Sequence, residues 1–270
     1  MRFLNYKLIA VDLDDSLLGS DLQISTRNKE ALIKAMEKGV LVTIATGRMF
    51  KSAIKYAQQL ELDVPIITYQ GGLIKNAFSQ DVLYNKTLSL DICQKIIYIC
   101  KEKSLHLQVY IGDEYYFEEE NKYSDMYYKN VGVKGQLVGS LDKFLANEPN
   151  KLIIIDEPDK IMEVRDDFRR LFGDQIEITT SKPQYLEFTH KEATKGRALE
   201  YLANLKGIER ESVIAIGDSY NDISMLQYAG LAIAMGNAPE EVKVHADYVT
   251  GINDEDGVAQ AIHRFVLERS

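Results

Sequence analysis

The stretch Leu8–Leu18, which reads LIAVDLDDSLL, constrains the fold of this chain more than any other segment. The apolar run at its start is typical of a strand that is buried on both faces of a parallel sheet. The run gives way to three carboxylates, Asp12, Asp14 and Asp15. Open α/β sheets bind ligands at the carboxyl ends of their strands, and crowded carboxylates repel one another unless something relieves the charge. A divalent metal is therefore the first interpretation of this segment.

Two other local structures can produce such an acidic segment. A solvated acidic turn is the ordinary fate of an Asp-Asp pair, and this segment alone does not separate it from a metal site. A calcium loop of the EF-hand type is excluded, because Leu17 stands where the loop needs glycine and Gln23 where it needs glutamate. Since alternate residues of an extended segment share a face, we expect Asp12 and Asp14 to point to the same side.

The composition narrows the class of function. The chain has 270 residues, of which 46% are hydrophobic, so it can bury a sizeable core. Its formal charge of -9 argues against a partner that is nucleic acid or an anionic membrane. The sequence predicts no signal peptide and no transmembrane helix, and we expect Cys93 and Cys100 to be reduced core residues. These properties predict a cytoplasmic protein that acts on small molecules and needs no obligate protein partner.

The hydrophobic periodicity predicts a discontinuous α/β core, a doubly wound parallel sheet with an inserted α+β domain. Strands and helices alternate up to about residue 82 and again from about residue 190. The expected boundaries are 1–82 and 190–270 for the core and 83–189 for the insertion. The core should end in helices at 220–229, 239–245 and 257–269, and the insertion should contain helices at 89–103, 142–147 and 159–172.

The sequence also predicts a hairpin in the insertion, with its turn at Gly112-Asp113, and the insertion is rich in tyrosine. A flat ring with a polar rim can stack on a substrate, but we favour packing or a subunit contact, because aromatic residues are common in strands. The residues concerned are Tyr110, Tyr115, Tyr116, Phe117, Tyr123, Tyr127 and Tyr128.

A second predicted strand end carries Thr46, Gly47 and Arg48. These residues could form an anion-binding site, called the anion seat below. It would consist of the Thr46 hydroxyl, the main chain at Gly47, which can approach a ligand closely, and the amides of the following helix. The alternative, which the motif alone favours, is that Thr46 caps that helix.

A third strand end leads into the sequence GDSYND, which begins at Gly217. A capping box between Ser219 and Asp222 would explain Asp222, but it leaves Asp218 and Asn221 unexplained. Another strand end that bears acids favours one shared site.

Lys195 lies in the first turn of a predicted helix. A lysine there opposes the helix dipole and therefore suggests a nearby anion, although a solvated lysine remains the alternative.

These strand ends together supply the groups that phosphoryl transfer requires. A carboxylate can attack phosphorus and form an aspartyl-phosphate if a metal and hydrogen-bond donors offset the repulsion between two anions. Asp12 would be the nucleophile. Asp14 would protonate the leaving oxygen and then deprotonate the hydrolytic water.

The motifs and their order resemble the haloacid dehalogenase (HAD) superfamily. The resemblance rests on the DxDx(S/T) start at Asp12, the strand that ends in Thr46, Lys195, and the GDSYND element. Only 33 residues separate Asp12 from Thr46, which is too few for an inserted domain there. The insertion of roughly 100 residues before Lys195 resembles the C2-capped, Cof-type (subclass IIB) sugar-phosphatase branch.

The resemblance implies a phosphatase that hydrolyses small phosphorylated metabolites with Mg²⁺ as cofactor. It also implies a role for each motif residue. The implied metal site consists of the Asp12 carboxylate, the Asp14 main-chain carbonyl and the Asp218 carboxylate, with Asp222 orienting the metal ligands or Lys195. The implied phosphate-binding residues are Thr46, Gly47, Lys195 and Asn221.

The chain departs from the family pattern at two places. Asp15-Ser16 replaces a common Gly-Thr, with the hydroxyl retained, and Gln70 stands where Asn-Gly is common. A phosphomutase would use the same aspartyl-phosphate chemistry and stays open as an alternative. A receiver-type signalling domain would need neither Asp14 nor the insertion, and a non-catalytic phospho-ligand sensor would not need the complete set of acids, metal and lysine.

Overall fold

The computed structural model describes residues 5–61 and 63–268. The chain divides into two compact units, each built on its own sheet. The first unit comprises the described residues up to Arg48, Ala53–Tyr84 and the described residues from Thr194 onward. The second comprises Met49–Ser52 and Asn85–Ala193. Within the described ranges, no helix is both long enough and apolar enough to span a membrane.

The strands and helices are numbered in chain order. The strands are β1 (Leu8–Asp12), β2 (Leu41–Ala45), β3 (Pro65–Thr68), β4 (Leu73–Asn76), β5 (Val82–Asn85), β6 (His106–Ile111), β7 (Glu114–Phe117), β8 (Gln136–Leu137), β9 (Lys151–Ile155), β10 (Ile176–Lys182), β11 (Tyr185–His190), β12 (Val213–Gly217), β13 (Leu231–Ala234) and β14 (Tyr248–Val249). The helices are α1 (Thr26–Glu37), α2 (Phe50–Gln59), α3 (Leu90–Glu102), α4 (Lys122–Val131), α5 (Leu141–Phe144), α6 (Pro158–Phe172), α7 (Lys195–Leu205), α8 (Ile223–Tyr228), α9 (Glu240–Lys243) and α10 (Gly257–Ile262).

The sheet of the first unit has the order β14-β13-β12-β1-β2-β3-β4-β5, so β1 lies in its interior. β1 pairs in parallel with β2 and β12, with Leu8 opposite both Leu41 and Val213. Every residue of β1 is buried, as a strand covered on both faces requires. Leu8 belongs to one apolar cluster with Leu199 and Leu202 of α7. The predicted α/β fold class is therefore confirmed, with an antiparallel addition where β4 returns against β3.

Three helices near the end of the first unit differ from their predicted bounds. The segment predicted at 220–229 starts with a 3₁₀ turn at Tyr220–Asp222 and becomes α-helical only in α8. α9 is shorter than 239–245, because Pro239 is extended and precedes the first helical residue. α10 ends at Ile262 and continues as a π-helical turn, His263–Leu267, and residue 269 lies outside the described residues.

The second unit is an α+β fold whose sheet has the order β10-β11-β9-β6-β7-β8. β6 and β7 form the predicted hairpin, with Gln108 opposite Phe117. α3 and α6 contribute Cys93, Cys100 and Phe168 to an apolar core shared with β6, β9, β10 and β11. Both cysteines are buried and neither forms a disulfide, as predicted.

The sequence did not predict α4. This helix begins after Asn121, whose side-chain oxygen accepts hydrogen bonds from the amides of Tyr123 (2.9 Å) and Ser124 (3.2 Å), and it ends at Gly132. Its third residue is Ser124 rather than the Glu or Gln that marks a standard capping box, which concealed the start. In the same unit, the helix predicted at 142–147 is only the short α5.

The tyrosine-rich stretch packs on itself inside the second unit. The ring centroids of Tyr110 and Tyr115 lie 5.4 Å apart in a stacked pair, and Tyr127 meets Tyr115 edge-on, also at 5.4 Å. These three rings are buried, whereas Tyr128 is largely exposed. The contacts favour packing as the role of the buried tyrosines.

The turn that follows β3, Tyr69–Gly71, is held against the start of α7. Gly71 has φ of +107°, and a Cβ atom there would lie 2.2 Å from the Thr194 carbonyl oxygen. We predict that Gly71→Ala lowers the free energy of unfolding by about 1–3 kcal/mol from overpacking, in addition to the backbone strain. Gly39→Ala is the matched control, because Gly39 also has a positive φ but no atom within 4 Å of its Cβ position, so only a strain of roughly 1–2 kcal/mol applies. Urea unfolding measures the free energy of unfolding of both variants, and equal losses of stability in Gly71→Ala and Gly39→Ala would contradict the packing argument.

Candidate active site

The centre of the site is a buried ammonium between two carboxylates. Lys195 Nζ donates to Asp12 Oδ1 at 2.5 Å and to Asp222 Oδ1 at 2.6 Å. The exposed fractions of these side chains are 0% for Lys195, 7% for Asp12 and 0% for Asp222. Because charges are rarely removed from water without compensation, this arrangement must be held by the surrounding fold.

Three different elements place these groups. Asp12 is the last residue of β1, and Asp222 lies in the turn that follows its neighbour β12. Lys195 is the first residue of α7, where Thr194 Oγ1 caps the helix by accepting from the amide of Arg197 at 3.2 Å. The carboxyl ends of parallel strands share one edge of a sheet, so residues distant in sequence meet there.

Asp218 completes the acidic group. Its two carboxylate oxygens accept hydrogen bonds from the hydroxyls of Ser16, at 2.7 Å, and Ser219, at 2.9 Å. Asp222 Oδ2 in turn accepts from the amides of Asp218 and Ser219 at 3.0 and 2.9 Å. The capping box and the shared site are therefore both present, because Asp222 uses one oxygen for the turn and the other for Lys195.

The charge of this group is incompletely balanced. Asp12, Asp218 and Asp222 each offer a carboxylate oxygen within 4.8 Å of the others, and Lys195 is the cation bonded to two of them. Burial and the neighbouring Asp222 raise the pKa of Asp12 against the opposing effect of Lys195, and burial raises the pKa of Asp218 to about 6. Burial would lower the pKa of Lys195, but Asp12 and Asp222 outweigh it and raise that pKa. A set of hard carboxylate oxygens with excess negative charge fits a divalent cation such as Mg²⁺.

Asp14 does not join this group through its side chain. β1 ends at Asp12, so the alternation rule that we applied to Asp14 does not extend to it. Its carboxylate accepts three hydrogen bonds from Arg48, from Nε to Oδ2 at 2.9 Å and to Oδ1 at 3.2 Å, and from Nη2 to Oδ1 at 2.5 Å. The Arg48 guanidinium also lies 5.3 Å from the centre of the Tyr56 ring.

Arg48 is the residue that the sequence analysis left without a role. Its bonds to Asp14 raise its pKa despite burial, which acts in the opposite direction. The only sequence signal was its place at a strand end beside Thr46 and Gly47. Asp15, in contrast, is exposed, with φ of +59°.

The predicted anion seat lies at the end of β2. Thr46 is buried, and its hydroxyl accepts from the amide of Arg48 at 3.1 Å rather than from an amide inside α2. Asn221 Nδ2 donates to Gln70 Oε1 at 2.9 Å, and a Cβ atom on Gly47 would lie 2.5 Å from Gln70 Nε2. The Gln70 carboxamide therefore contacts Asn221 through its oxygen and lies beside Gly47 with its nitrogen.

Comparison with known proteins agrees with this geometry. A sequence model of the haloacid dehalogenase-like hydrolases matches residues 9–262. The chain belongs to this family. Among its relatives, the 5-amino-6-(5-phospho-D-ribitylamino)uracil phosphatase YcsE of Bacillus subtilis is 34% identical over 262 residues, which cover 97% of this chain and 96% of that protein.

Solved structures of the family have the same fold. A haloacid dehalogenase-like hydrolase from Bacteroides thetaiotaomicron superposes with a TM-score of 0.89 and 35% identity, covering 96% of this chain and 99% of its own. The HAD subclass IIB sugar phosphatase BT4131 superposes with a TM-score of 0.81 and 26% identity, covering 96% and 98%. These comparisons confirm the predicted Cof-type branch and the predicted phosphoric monoester hydrolase.

The raised pKa of Asp218 has a consequence for stability. In protein stripped of metal by a chelator, folded Asp218 binds its proton more tightly than the unfolded chain does between about pH 4 and pH 6. Its ionisation therefore lowers the free energy of unfolding as the pH rises through that window. We predict that Asp218→Asn gains stability relative to the parent between pH 4 and pH 7, by on the order of 1–3 kcal/mol. Urea unfolding at both pH values measures the difference, and a gain that is independent of pH would contradict the assignment.

Proposed function

We propose that the chain is a Mg²⁺-dependent phosphatase that hydrolyses small phosphorylated metabolites through an aspartyl-phosphate on Asp12. The observation that carries the proposal is the buried contact of Lys195 with Asp12 and Asp222, beside Asp218. A structural ion pair would not need a further carboxylate whose pKa is raised by burial.

In the proposed reaction, Asp12 attacks the phosphorus of a phosphate monoester. A bond forms between the Asp12 carboxylate and phosphorus, and the bond from phosphorus to the leaving oxygen breaks. Lys195 holds the Asp12 carboxylate through Oδ1 and places a positive charge beside the transferring group. Asp222 positions Lys195, since its other oxygen is fixed by main-chain amides.

The residues proposed to hold Mg²⁺ are the carboxylates of Asp12 and Asp218 and the main-chain carbonyl of Asp14, with Asp222 assisting. When bound, the magnesium ion offsets the repulsion between the nucleophilic carboxylate and the phosphoryl oxygens. Ser16 and Ser219 keep Asp218 oriented through its two hydroxyl contacts. The phosphate would be held by Thr46, Gly47, Lys195 and Asn221.

Asp14 is proposed to give a proton to the leaving oxygen and then to take one from the water that hydrolyses the aspartyl-phosphate. Arg48 donates to both oxygens of the Asp14 carboxylate and thereby fixes the position of that side chain.

The candidate substrates follow from the relatives. BT4131 is named a sugar phosphatase, and YcsE acts on a phosphorylated ribitylaminouracil. We propose that the substrate resembles theirs: a phosphorylated sugar or polyol, which can carry an attached heterocyclic ring. Release of free phosphate from a panel of sugar phosphates, nucleotides, flavin mononucleotide and pyridoxal phosphate in the presence of Mg²⁺ tests the proposal. Isomer formation without phosphate release would identify the phosphomutase instead.

We predict that Asp12→Asn lowers turnover by several orders of magnitude, because an amide cannot attack phosphorus. The change keeps the shape of the side chain and leaves the Lys195 ammonium paired with Asp222, so the folded state should persist. Asp15→Asn is the matched control, since Asp15 is an exposed carboxylate three residues further on and should be dispensable. Phosphate release from the best substrate measures both variants, and appreciable turnover in folded Asp12→Asn would exclude Asp12 as the nucleophile.

We also predict that Mg²⁺ raises the melting temperature of the chelator-treated protein, because a ligand that binds only the folded state stabilises it by about 2.7 kcal/mol at a concentration of 100 Kd. Asp218→Asn should lose this shift, whereas Asp91→Asn, which changes an exposed carboxylate of α3, should keep it. Activity should return with Mg²⁺ but not with Ca²⁺, whose larger and looser oxygen shell would misplace Asp12. Full activity in excess chelator would overturn the metal assignment.

A further inference from the structure

The turn Tyr69–Gly71 has an unusual backbone. Tyr69, Gln70 and Gly71 all have positive φ, at +52°, +60° and +107°. Residues other than glycine rarely adopt this conformation, and they keep it only where their surroundings hold them. Tyr69 and Gln70 are both buried, so solvent exposure does not account for it.

Main-chain contacts fix this turn to the elements of the active site. The amide of Tyr69 donates to the carbonyl of Arg48 at 3.0 Å, and the amide of Gln70 donates to the carbonyl of Thr46 at 3.3 Å. On the other side, Gly71 lies against the carbonyl of Thr194, directly before Lys195. The left-handed turn thus holds Gln70 between the end of β2 and the start of α7.

The Gln70 side chain is oriented by one hydrogen bond. Its Oε1 accepts from Asn221 Nδ2 at 2.9 Å, which leaves Nε2 at the other end of the carboxamide. Nε2 lies beside Gly47, close enough that a Cβ atom on Gly47 would be 2.5 Å away. Within residues 5–61 and 63–268, Nε2 donates to no protein acceptor. A nearly buried amide donor that is aimed beside Gly47 without a protein acceptor is suited to an anionic oxygen.

We infer that Gln70 donates a hydrogen bond from Nε2 to a phosphoryl oxygen of the substrate, with Asn221 holding the carboxamide in the required orientation. The inference rests on the proposed function, since it uses the same phosphate site. It adds to that site a donor that comes from the strained turn after β3. Packing alone would need neither the amide donor nor the bond to Asn221.

Inorganic phosphate is the probe for this contact. Gln70→Glu keeps the shape of the side chain and the acceptor for Asn221 but replaces Nε2 with an anionic oxygen. Gln70→Met keeps the approximate length without any donor or charge. In both variants we expect inorganic phosphate to inhibit p-nitrophenyl phosphate hydrolysis at least about tenfold more weakly, the loss typical of one hydrogen bond to a charged group. KM should rise by the same factor, with a smaller change in kcat, because a contact made equally to the bound ester and to the transition state contributes to binding and not to the chemical step.

Gln80→Glu is the matched control. Gln80 has the same left-handed backbone, with φ of +62°, but it is exposed and donates from Nε2 to the carbonyl of Ala77 at 2.9 Å. The same substitution there should leave phosphate inhibition and KM unchanged. Equal weakening by Gln80→Glu and Gln70→Glu would show a general electrostatic effect and overturn the inference.

The outcomes separate this inference from the proposed function. If the parent enzyme releases phosphate but folded Gln70→Met and Gln70→Glu keep the parent inhibition constant, Gln70 does not contact phosphate, although the phosphatase assignment stands. If Gln70→Glu does not fold, Gln70→Met decides by the same measurement. If the parent hydrolyses no ester, the proposed function fails, and calorimetric titration of inorganic phosphate into the parent and Gln70→Met still tests the contact: equal affinities overturn it, and a weaker variant supports it.

Discussion

The site depends on the buried ammonium of Lys195 between Asp12 and Asp222. Removing one partner of a buried ion pair typically costs about 3–5 kcal/mol, because the remaining charge is left without compensation in a medium of low polarity. The three residues lie on β1, at the start of α7 and after β12, so their contact requires those elements to be adjacent. The parallel pairing of β1 with β12 provides that adjacency, and the apolar residues of both strands provide the burial that strengthens the charge interactions.

The same elements bring three buried carboxylates together with only one ammonium, Lys195, bonded to two of them, and this surplus of negative charge is unfavourable for folding. Asp218 is held by two hydroxyl groups, which stabilise its carboxylate less than a cation would, and burial therefore still raises its pKa. The strained turn at Tyr69–Gly71 is a second unfavourable feature, and it contacts the same site. Strain and unbalanced charge that coincide at one edge of a sheet are typical of functional sites, because the surrounding core compensates for both. Elsewhere in β1, the residues follow the ordinary pattern of a buried parallel strand.

The sequence was sufficient for those features that depend on strand ends. A buried run followed by acids predicts where Asp12 and Asp218 lie, because parallel strands present their carboxyl ends at one edge. It was insufficient for contacts set by side-chain orientation beyond a strand. β1 ends at Asp12, so the alternation of side chains along a strand does not apply to Asp14. The pair between Asp14 and Arg48 depends instead on the turn after β1, in which Asp15 has a left-handed backbone conformation. α4 was missed for a different reason, because its start relies on a serine in place of the usual acidic capping residue.

The pair between Asp14 and Arg48 connects the residue that is proposed to exchange protons with the loop after β2. The Arg48 guanidinium donates to both oxygens of the Asp14 carboxylate and holds that side chain in one orientation. The same guanidinium lies over the Tyr56 ring, so the pair also contacts α2. The orientation of Asp14 therefore depends on the loop after β2 and on α2 as well as on the turn after β1, which is why the sequence of β1 alone did not predict it.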